Sequence, residues 1–109
     1  IMKKHLETAK TFNLKELISY SESSTVSKIL SKNSNGNTTL FAFDKEQELS
    51  EHTAPFDATA IIIDGECQIT IKDVEYQLKE GEMIIMPANV PHSLTAIDRF
   101  KMLLIMIKE

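Results

Sequence analysis

Few side chains in this sequence can take part in chemistry at neutral pH. The candidates are three histidines, one cysteine and scattered carboxylates. His52 and His92 stand out, because an imidazole titrates near neutral pH and can serve as general acid, general base or metal ligand. His5 belongs to a terminal segment and is expected to be solvated. Cys67 is expected to be a small buried hydrophobe, since the neighbouring Glu66 would raise its pKa rather than activate it.

Both histidines lie in segments that are predicted to form strands. His52 lies in residues 48–53, where a two-residue alternation predicts Ser50 and His52 on one face and Leu49 on the other. His92 follows residues 87–91, a stiff loop with a proline at each end, which sets its ring at the start of a strand. A lone histidine in such a chain is more often a hydrogen-bonded residue of the core or its rim than a ligand.

Short apolar runs separated by Gly, Pro, Asn and Asp continue along the chain from residue 26. They predict about nine strands with breaks roughly every eight to twelve residues, as in a sandwich or barrel. The strands are predicted at residues 26–32, 38–43, 48–53, 58–63, 67–72, 74–79, 83–86, 92–97 and 100–108. Asn35-Gly36 is predicted to form the first tight hairpin turn. The helical signal is confined to a capping box at Asn13–Glu16, which predicts a short helical turn.

Three predicted strands are apolar on both faces and therefore need a second covering layer. They contain Ile61–Ile63, Met83–Met86 and Met102–Ile107, whereas residues 68–72 alternate and have one wet face. Either a second sheet or a partner subunit can supply this layer. We expect a two-fold homodimer, the commonest closed assembly. The alternative is that these strands are simply central.

Composition excludes several classes of function. The 109 residues include 12 Lys and Arg against 16 Asp and Glu, and the net charge of −4 argues against nucleic acid as a partner. The single cysteine cannot form an intrachain disulfide, as expected in a reducing cytoplasm. The longest apolar stretch is too short to span a bilayer, and the amino end lacks the apolar run of a signal peptide. We therefore expect one cytoplasmic domain with no membrane partner.

The residues before His92 carry a recognisable spacing. Gly81-x5-Pro87-x-Asn89-x2-His92 resembles the second motif of the cupin superfamily, with Asn89 in place of a glycine. Asparagine tolerates a left-handed backbone better than other non-glycine residues, so the exchange is mild. The resemblance implies an all-β fold, the cupin double-stranded β-helix or jelly-roll barrel, over residues 38–109. Residues 1–37 would then form an N-terminal segment that packs on the barrel or on a partner subunit.

The first cupin motif matches only in part. Cupins that hold a metal usually offer two histidines and a glutamate from this motif and one histidine from the second. Here Ser50 stands at the first histidine position, and Ala58 falls at the glutamate position. Asp57 is one residue early, which would turn its side chain to the opposite face and makes it a weak ligand candidate. The resemblance therefore implies only His52 and His92 as ligands.

Two imidazoles fall short of the three or four protein ligands of tight metal sites. A divalent Fe, Mn, Ni or Zn ion is therefore expected at low occupancy at most. The predicted pocket has apolar walls and a few placed polar groups, as small-ligand sites commonly do. Its predicted residues are Phe43, Ser50, His52, Ala58, Met86, His92 and Met102, with Phe41, Phe56 and Met106 as further candidates. For any single apolar member, the favoured alternative is that it simply fills the core.

Three functions remain open at this point. The first is a small cupin that binds a small organic ligand, with or without a divalent metal, through His52 and His92. If it is catalytic, one of these histidines is the candidate general acid or base. The second is a metal-dependent enzyme of the dioxygenase or sugar isomerase type, in which Asp57 or a glutamate completes the site. The third is a non-enzymatic sensor or binding module, and the fold alone does not choose between them.

Overall fold

Eight β-strands follow one short 3₁₀ helix in the computed structural model, which describes residues 6–108. The helix spans Leu14–Leu17. The strands are β1 (Thr25–Asn33), β2 (Gly36–Phe43), β3 (Glu48–His52), β4 (Ala58–Ile71), β5 (Val74–Lys79), β6 (Met83–Met86), β7 (His92–Thr95) and β8 (Phe100–Ile107). The strand bounds lie close to those predicted from the sequence. Six of the predicted starts, at residues 48, 58, 74, 83, 92 and 100, are also observed starts.

The strands form two antiparallel sheets that face each other. One sheet contains β1, β2, β8, the first half of β4 and β6, and the other contains β5, the second half of β4, β7 and β3. Strand β4 therefore runs through both sheets and joins them. This arrangement confirms the predicted all-β jelly-roll barrel with a short helical turn before it.

The continuity of β4 differs from the prediction of two strands separated at Asp64-Gly65. The pairing of β4 with β8 shifts register between Ile62 and Asp64, and Gly65 has a φ of +76°. A left-handed glycine bends the strand without ending it, which lets the chain pass from one sheet into the other. Asp64-Gly65 therefore marks a bend rather than a turn.

The first hairpin also differs in detail from the prediction. Asn33 pairs with Gly36, so the two turn residues are Ser34 and Asn35 rather than Asn35 and Gly36. Two positive φ angles in succession occur instead at Lys72 and Asp73, with values of 46° and 68°. These angles are typical of the type I′ turn that matches the twist of a hairpin.

The main core lies between the two sheets. At one end, Phe43 stacks on Phe100 of the neighbouring strand with ring centroids 4.5 Å apart, and neither ring is exposed. A second, smaller cluster lies on the outer face of the first sheet, where Ile18 packs on Leu40 and Ala42. The N-terminal segment thus covers part of the outer face.

The N-terminal segment is held by a cap and by polar contacts. The side chain of Asn13 accepts a hydrogen bond from the Lys15 N–H at 3.1 Å, which caps the helix as predicted. The Tyr20 hydroxyl donates to Asp64 at 2.6 Å, and Arg99 lies over the Tyr20 ring. The predicted solvation of His5 concerns a residue outside the described range.

Within residues 6–108, no helix is long and apolar enough to cross a membrane.

Candidate functional site

The structure brings His52 and His92 together from positions 40 residues apart. The two residues are direct partners on the neighbouring strands β3 and β7. Their ring centroids lie 4.4 Å apart, and the ring planes meet at 66°. Because both imidazoles line one cavity, they can act on the same ligand.

Backbone contacts determine which nitrogen of each ring is free. Nδ1 of His52 lies 2.8 Å from the carbonyl oxygen of Ser50, and Nδ1 of His92 lies 3.3 Å from that of Val90. A carbonyl oxygen only accepts hydrogen bonds, so each Nδ1 donates and carries the proton. The Nε2 of each neutral ring therefore keeps a lone pair. Neither Nε2 has a hydrogen-bond partner in the described part of the chain.

The two rings differ in their exposure to water. His92 is only 4% exposed, whereas His52 is exposed at the mouth of the cavity. Burial lowers the pKa of His92 below its ordinary value, the Val90 carbonyl opposes this shift, and the nearby His52 adds to it. The His92 ring is therefore neutral at pH 7, with its Nε2 lone pair available.

A β-bulge in β3 sets which residues face the cavity. Leu49 pairs with Leu94 and His52 pairs with His92, so three steps along β3 match two steps along β7. The extra residue turns Leu49 and His52 to the same side, where both line the cavity. Ser50 is exposed and lies outside the cavity lining, in contrast to the predicted shared face with His52. It contributes its carbonyl oxygen to His52 instead.

The cavity is small and mostly apolar. Its volume is about 40 Å³, room for about three water-sized positions. Its walls combine the two imidazoles with aliphatic, aromatic and thioether side chains. They are Phe41, Leu49, His52, Ala54, Ala58, Met86, His92, Leu94, Met102, Leu104 and Met106.

Five of the seven predicted pocket residues line this cavity: His52, Ala58, Met86, His92 and Met102. Phe43 does not, because it is stacked on Phe100 in the core, and Phe41 two residues earlier takes the place at the wall. Met106 also lines the cavity, whereas Phe56 does not.

The sequence reasoning missed four wall residues, Leu49, Ala54, Leu94 and Leu104. Leu94 follows His92 by two residues in the same strand, and Leu104 lies midway between Met102 and Met106. The period-two alternation could have found both of these. No local signal distinguishes Leu49, whose position depends on the bulge.

One row of the first sheet places two thioethers beside a small residue. Ala58 on β4 pairs with Met86 on β6 and with Met106 on β8. Ala58 therefore leaves free space in the wall between two flexible methionine side chains. The chain between His52 and Ala58 and the chain between Met86 and His92 are each five residues long. This row consequently lies at the same end of the barrel as the imidazole pair.

Two crossing contacts tie these connecting loops together. The carboxylate of Asp57 accepts a hydrogen bond from the Ala88 N–H at 2.8 Å, and the Ala54 carbonyl accepts one from the Asn89 N–H at 2.7 Å. Asn89 has a φ of +63°, the left-handed conformation expected at this motif position. Asp57 thus braces the loop that precedes His92, and its side chain lies outside the cavity lining.

The donor set does not fit the divalent ion that the fold suggests. Residues 6–108 contain no group of three or more His, Cys, Asp or Glu side chains that could hold a metal ion. Ala58 offers no donor, Ser50 is exposed, and an Asp57 oxygen is engaged by the backbone. Only two of the usual ligands remain, the imidazoles of His52 and His92.

Cys67 is fully buried, away from the cavity lining. Burial, with a smaller contribution from the charge of Glu66, raises the pKa of its thiol to about 12. The thiol therefore stays protonated at neutral pH and is unreactive. This agrees with its prediction as a small buried hydrophobe.

Comparison with known proteins identifies relatives of the whole chain. A conserved protein of unknown function from Streptococcus pyogenes is 35% identical, with 97% of this chain and 93% of that chain covered and a TM-score of 0.92. A cupin superfamily protein from Desulfitobacterium hafniense is 28% identical, with both chains fully covered and a TM-score of 0.91. A cupin 2 conserved barrel domain protein from Leptotrichia buccalis is 39% identical over 89% of this chain and 47% of that chain, with a TM-score of 0.86.

No curated protein matches the sequence. The family described as Cupin domain matches residues 39–108, which include both histidines and most of the barrel. Fold, motif spacing and this match agree, and the chain belongs to the cupin domain family.

Proposed function

We propose that this protein binds a compact ligand in the barrel cavity through Nε2 of His52 and Nε2 of His92. The observation that supports this most directly is the pair of free Nε2 atoms, one on a ring that is 4% exposed, in an otherwise apolar cavity. A buried polar group without a partner costs free energy, so a ligand that engages Nε2 is favoured there.

The geometry limits the chemistry of this ligand. Two Nε2 lone pairs accept hydrogen bonds or donate to a cation, so the matching group is a hydroxyl, another N–H or O–H donor, or a metal ion. A cavity of about 40 Å³ admits about three non-hydrogen atoms as it stands. Larger organic ligands require the methionine side chains at the wall to change rotamer, which their flexibility allows.

Nuclear magnetic resonance titration tests this proposal with methanol and ethanol as probes, which have two and three non-hydrogen atoms. We expect saturable amide shifts in β3 and β7 around the cavity. His52→Gln and His92→Gln should each weaken binding about threefold to tenfold, the effect of one lost hydrogen bond. Ser50→Ala is the matched control, because Ser50 is exposed beside His52, and it should bind as the wild type does. Shifts that map elsewhere, or histidine variants with unchanged binding, would contradict the proposal.

A further inference from the structure

We propose that the cavity is a site for one copper(I) ion, ligated by Nε2 of His52, Nε2 of His92 and the thioether sulfurs of Met86 and Met106. This inference rests on the proposed function, in which the two imidazoles are the polar groups that hold the ligand, and it names the class of that ligand.

The first argument is the placement of the donors. Met86 and Met106 flank Ala58 in one row of the sheet, and short loops join this row to both histidines. All four donor side chains line the same small cavity. Met102 also lines this cavity, but it lies four residues from Met106 along β8, roughly 13 Å away at the rise of a strand, and outside the row that the short loops join to the histidines.

The second argument is the reach of the two imidazoles. A metal ion about 2 Å from an imidazole nitrogen lies roughly 3 Å from the ring centre. This reach is compatible with one ion between two rings that line the same cavity with centroids 4.4 Å apart. In each ring Nδ1 donates to a backbone carbonyl, the outer contact that orients metal-binding histidines and leaves Nε2 free to ligate.

The third argument is charge. None of the cavity-lining residues carries a carboxylate, and the nearby Asp57 uses an oxygen to accept from Ala88. A buried charge is costly unless it is compensated, and the cost rises steeply with the charge of the ion. An ion of charge +1 therefore suits this cavity better than a divalent ion.

The fourth argument is the softness of the donors. Thioether sulfur is a soft ligand that selects copper(I), whereas Mg²⁺, Ca²⁺ and Mn²⁺ prefer oxygen donors. Imidazole also suits copper, so two imidazoles and two thioethers form a consistent set. The two sulfurs supply the donors that the expected divalent site lacks at Ser50 and Ala58.

Copper(I) affinity is measured by anaerobic competition against bathocuproine disulfonate, whose copper(I) complex absorbs visible light. We expect the wild type to take up one equivalent per chain, with sulfur and nitrogen scatterers around the copper in X-ray absorption spectra. The double variant Met86→Leu/Met106→Leu should lose at least about tenfold in affinity. Leucine conserves the volume of methionine, so the fold should be retained.

Two controls keep the readout specific. Met83→Leu changes the 52%-exposed methionine on the same strand as Met86, and Cys67→Ser changes a thiol outside the cavity. Both should bind copper(I) as the wild type does. A wild type that leaves all copper with the chelator, or a double variant that binds like the wild type, would overturn the inference. Failure of the proposed function is distinct, because His52→Gln and His92→Gln would then leave the binding of ethanol unchanged.

Discussion

At His92, burial and a carbonyl contact act on the same ring in opposite directions, and burial is the larger effect. The result is an imidazole that resists protonation inside the barrel while its partner His52 meets solvent. The two rings of this close pair therefore differ in environment, and the buried ring offers its lone pair inside the barrel.

Stability should depend on pH through His92. Its pKa is lowered in the folded state, so the unfolded chain takes up the proton first as the pH falls. The free energy of unfolding should therefore be at its plateau above the ordinary histidine pKa of about 6.5. Below that value it should decrease by up to about 1.4 kcal/mol per pH unit, until the folded state is protonated too.

Urea denaturation of the wild type and His92→Gln between pH 5 and 8 measures this dependence. The variant should show a flatter profile below about pH 6.5, while His52→Gln, at the exposed ring, should keep most of the slope. Parallel profiles for the wild type and His92→Gln would show that His92 is not the group responsible.

The alternation of residues predicts which face of a strand Phe41 and Phe43 share. It does not predict which of the two lies at the level of the cavity. Phe41 and Phe43 share a face, as a period of two requires. Phe41 pairs with Met102 near the cavity, and Phe43 pairs with Phe100 at the closed end of the core. Which of them reaches the cavity depends on β8, a strand some sixty residues away in the sequence.

Among the elements, the strands were predictable because glycine, proline, asparagine and aspartate separate the apolar runs. Two local irregularities were not, since each is produced by a partner strand. The bulge in β3 depends on its pairing with β7, and it leaves Ser50 outside the cavity lining that includes His52. The bend in β4 depends on the start of β8, where the backbone of Phe100 and of the preceding Arg99 closely approaches Gly65.

Gly65→Ala should be severely destabilising. A Cβ at this position would lie 1.7 Å from the Arg99 carbonyl oxygen, and the φ of +76° is itself unfavourable for alanine. We expect a loss of more than about 3 kcal/mol in the free energy of unfolding, or insoluble protein.

Gly81→Ala is the matched control for this change. Its φ of +92° is also left-handed, but a Cβ there would meet nothing within 4 Å. The expected cost is only about 1–2 kcal/mol. Similar losses for both variants in urea denaturation would show that the close approach of β8 is not what requires glycine at position 65.

At the scale of the whole molecule, β6 presents two adjacent apolar side chains on the outer surface. The N-terminal segment covers the outer face around Leu40, but Met83 and Ile85 on β6 remain 52% and 53% exposed. The strands that are apolar on both faces are thus covered by the second sheet on their inner face. Their outer face is covered only in part. Adjacent exposed apolar side chains are typical of interaction surfaces.

We expect this surface to form the interface of a homodimer. Static light scattering should give twice the mass of one chain for the wild type and the mass of one chain for Ile85→Lys, since a lysine pair at a two-fold contact is unfavourable. Val74→Lys, at a 52%-exposed position on the other sheet, should remain dimeric. A monomeric wild type would refute the expectation.

Strand β4 belongs to both sheets, and this affects how the barrel unfolds. Its first half is hydrogen-bonded to β6 and β8, and its second half to β5 and β7. Because the two halves are one continuous backbone, the loss of pairing in one half disturbs the pairing of the other half. We therefore expect the two sheets to unfold together rather than one after the other.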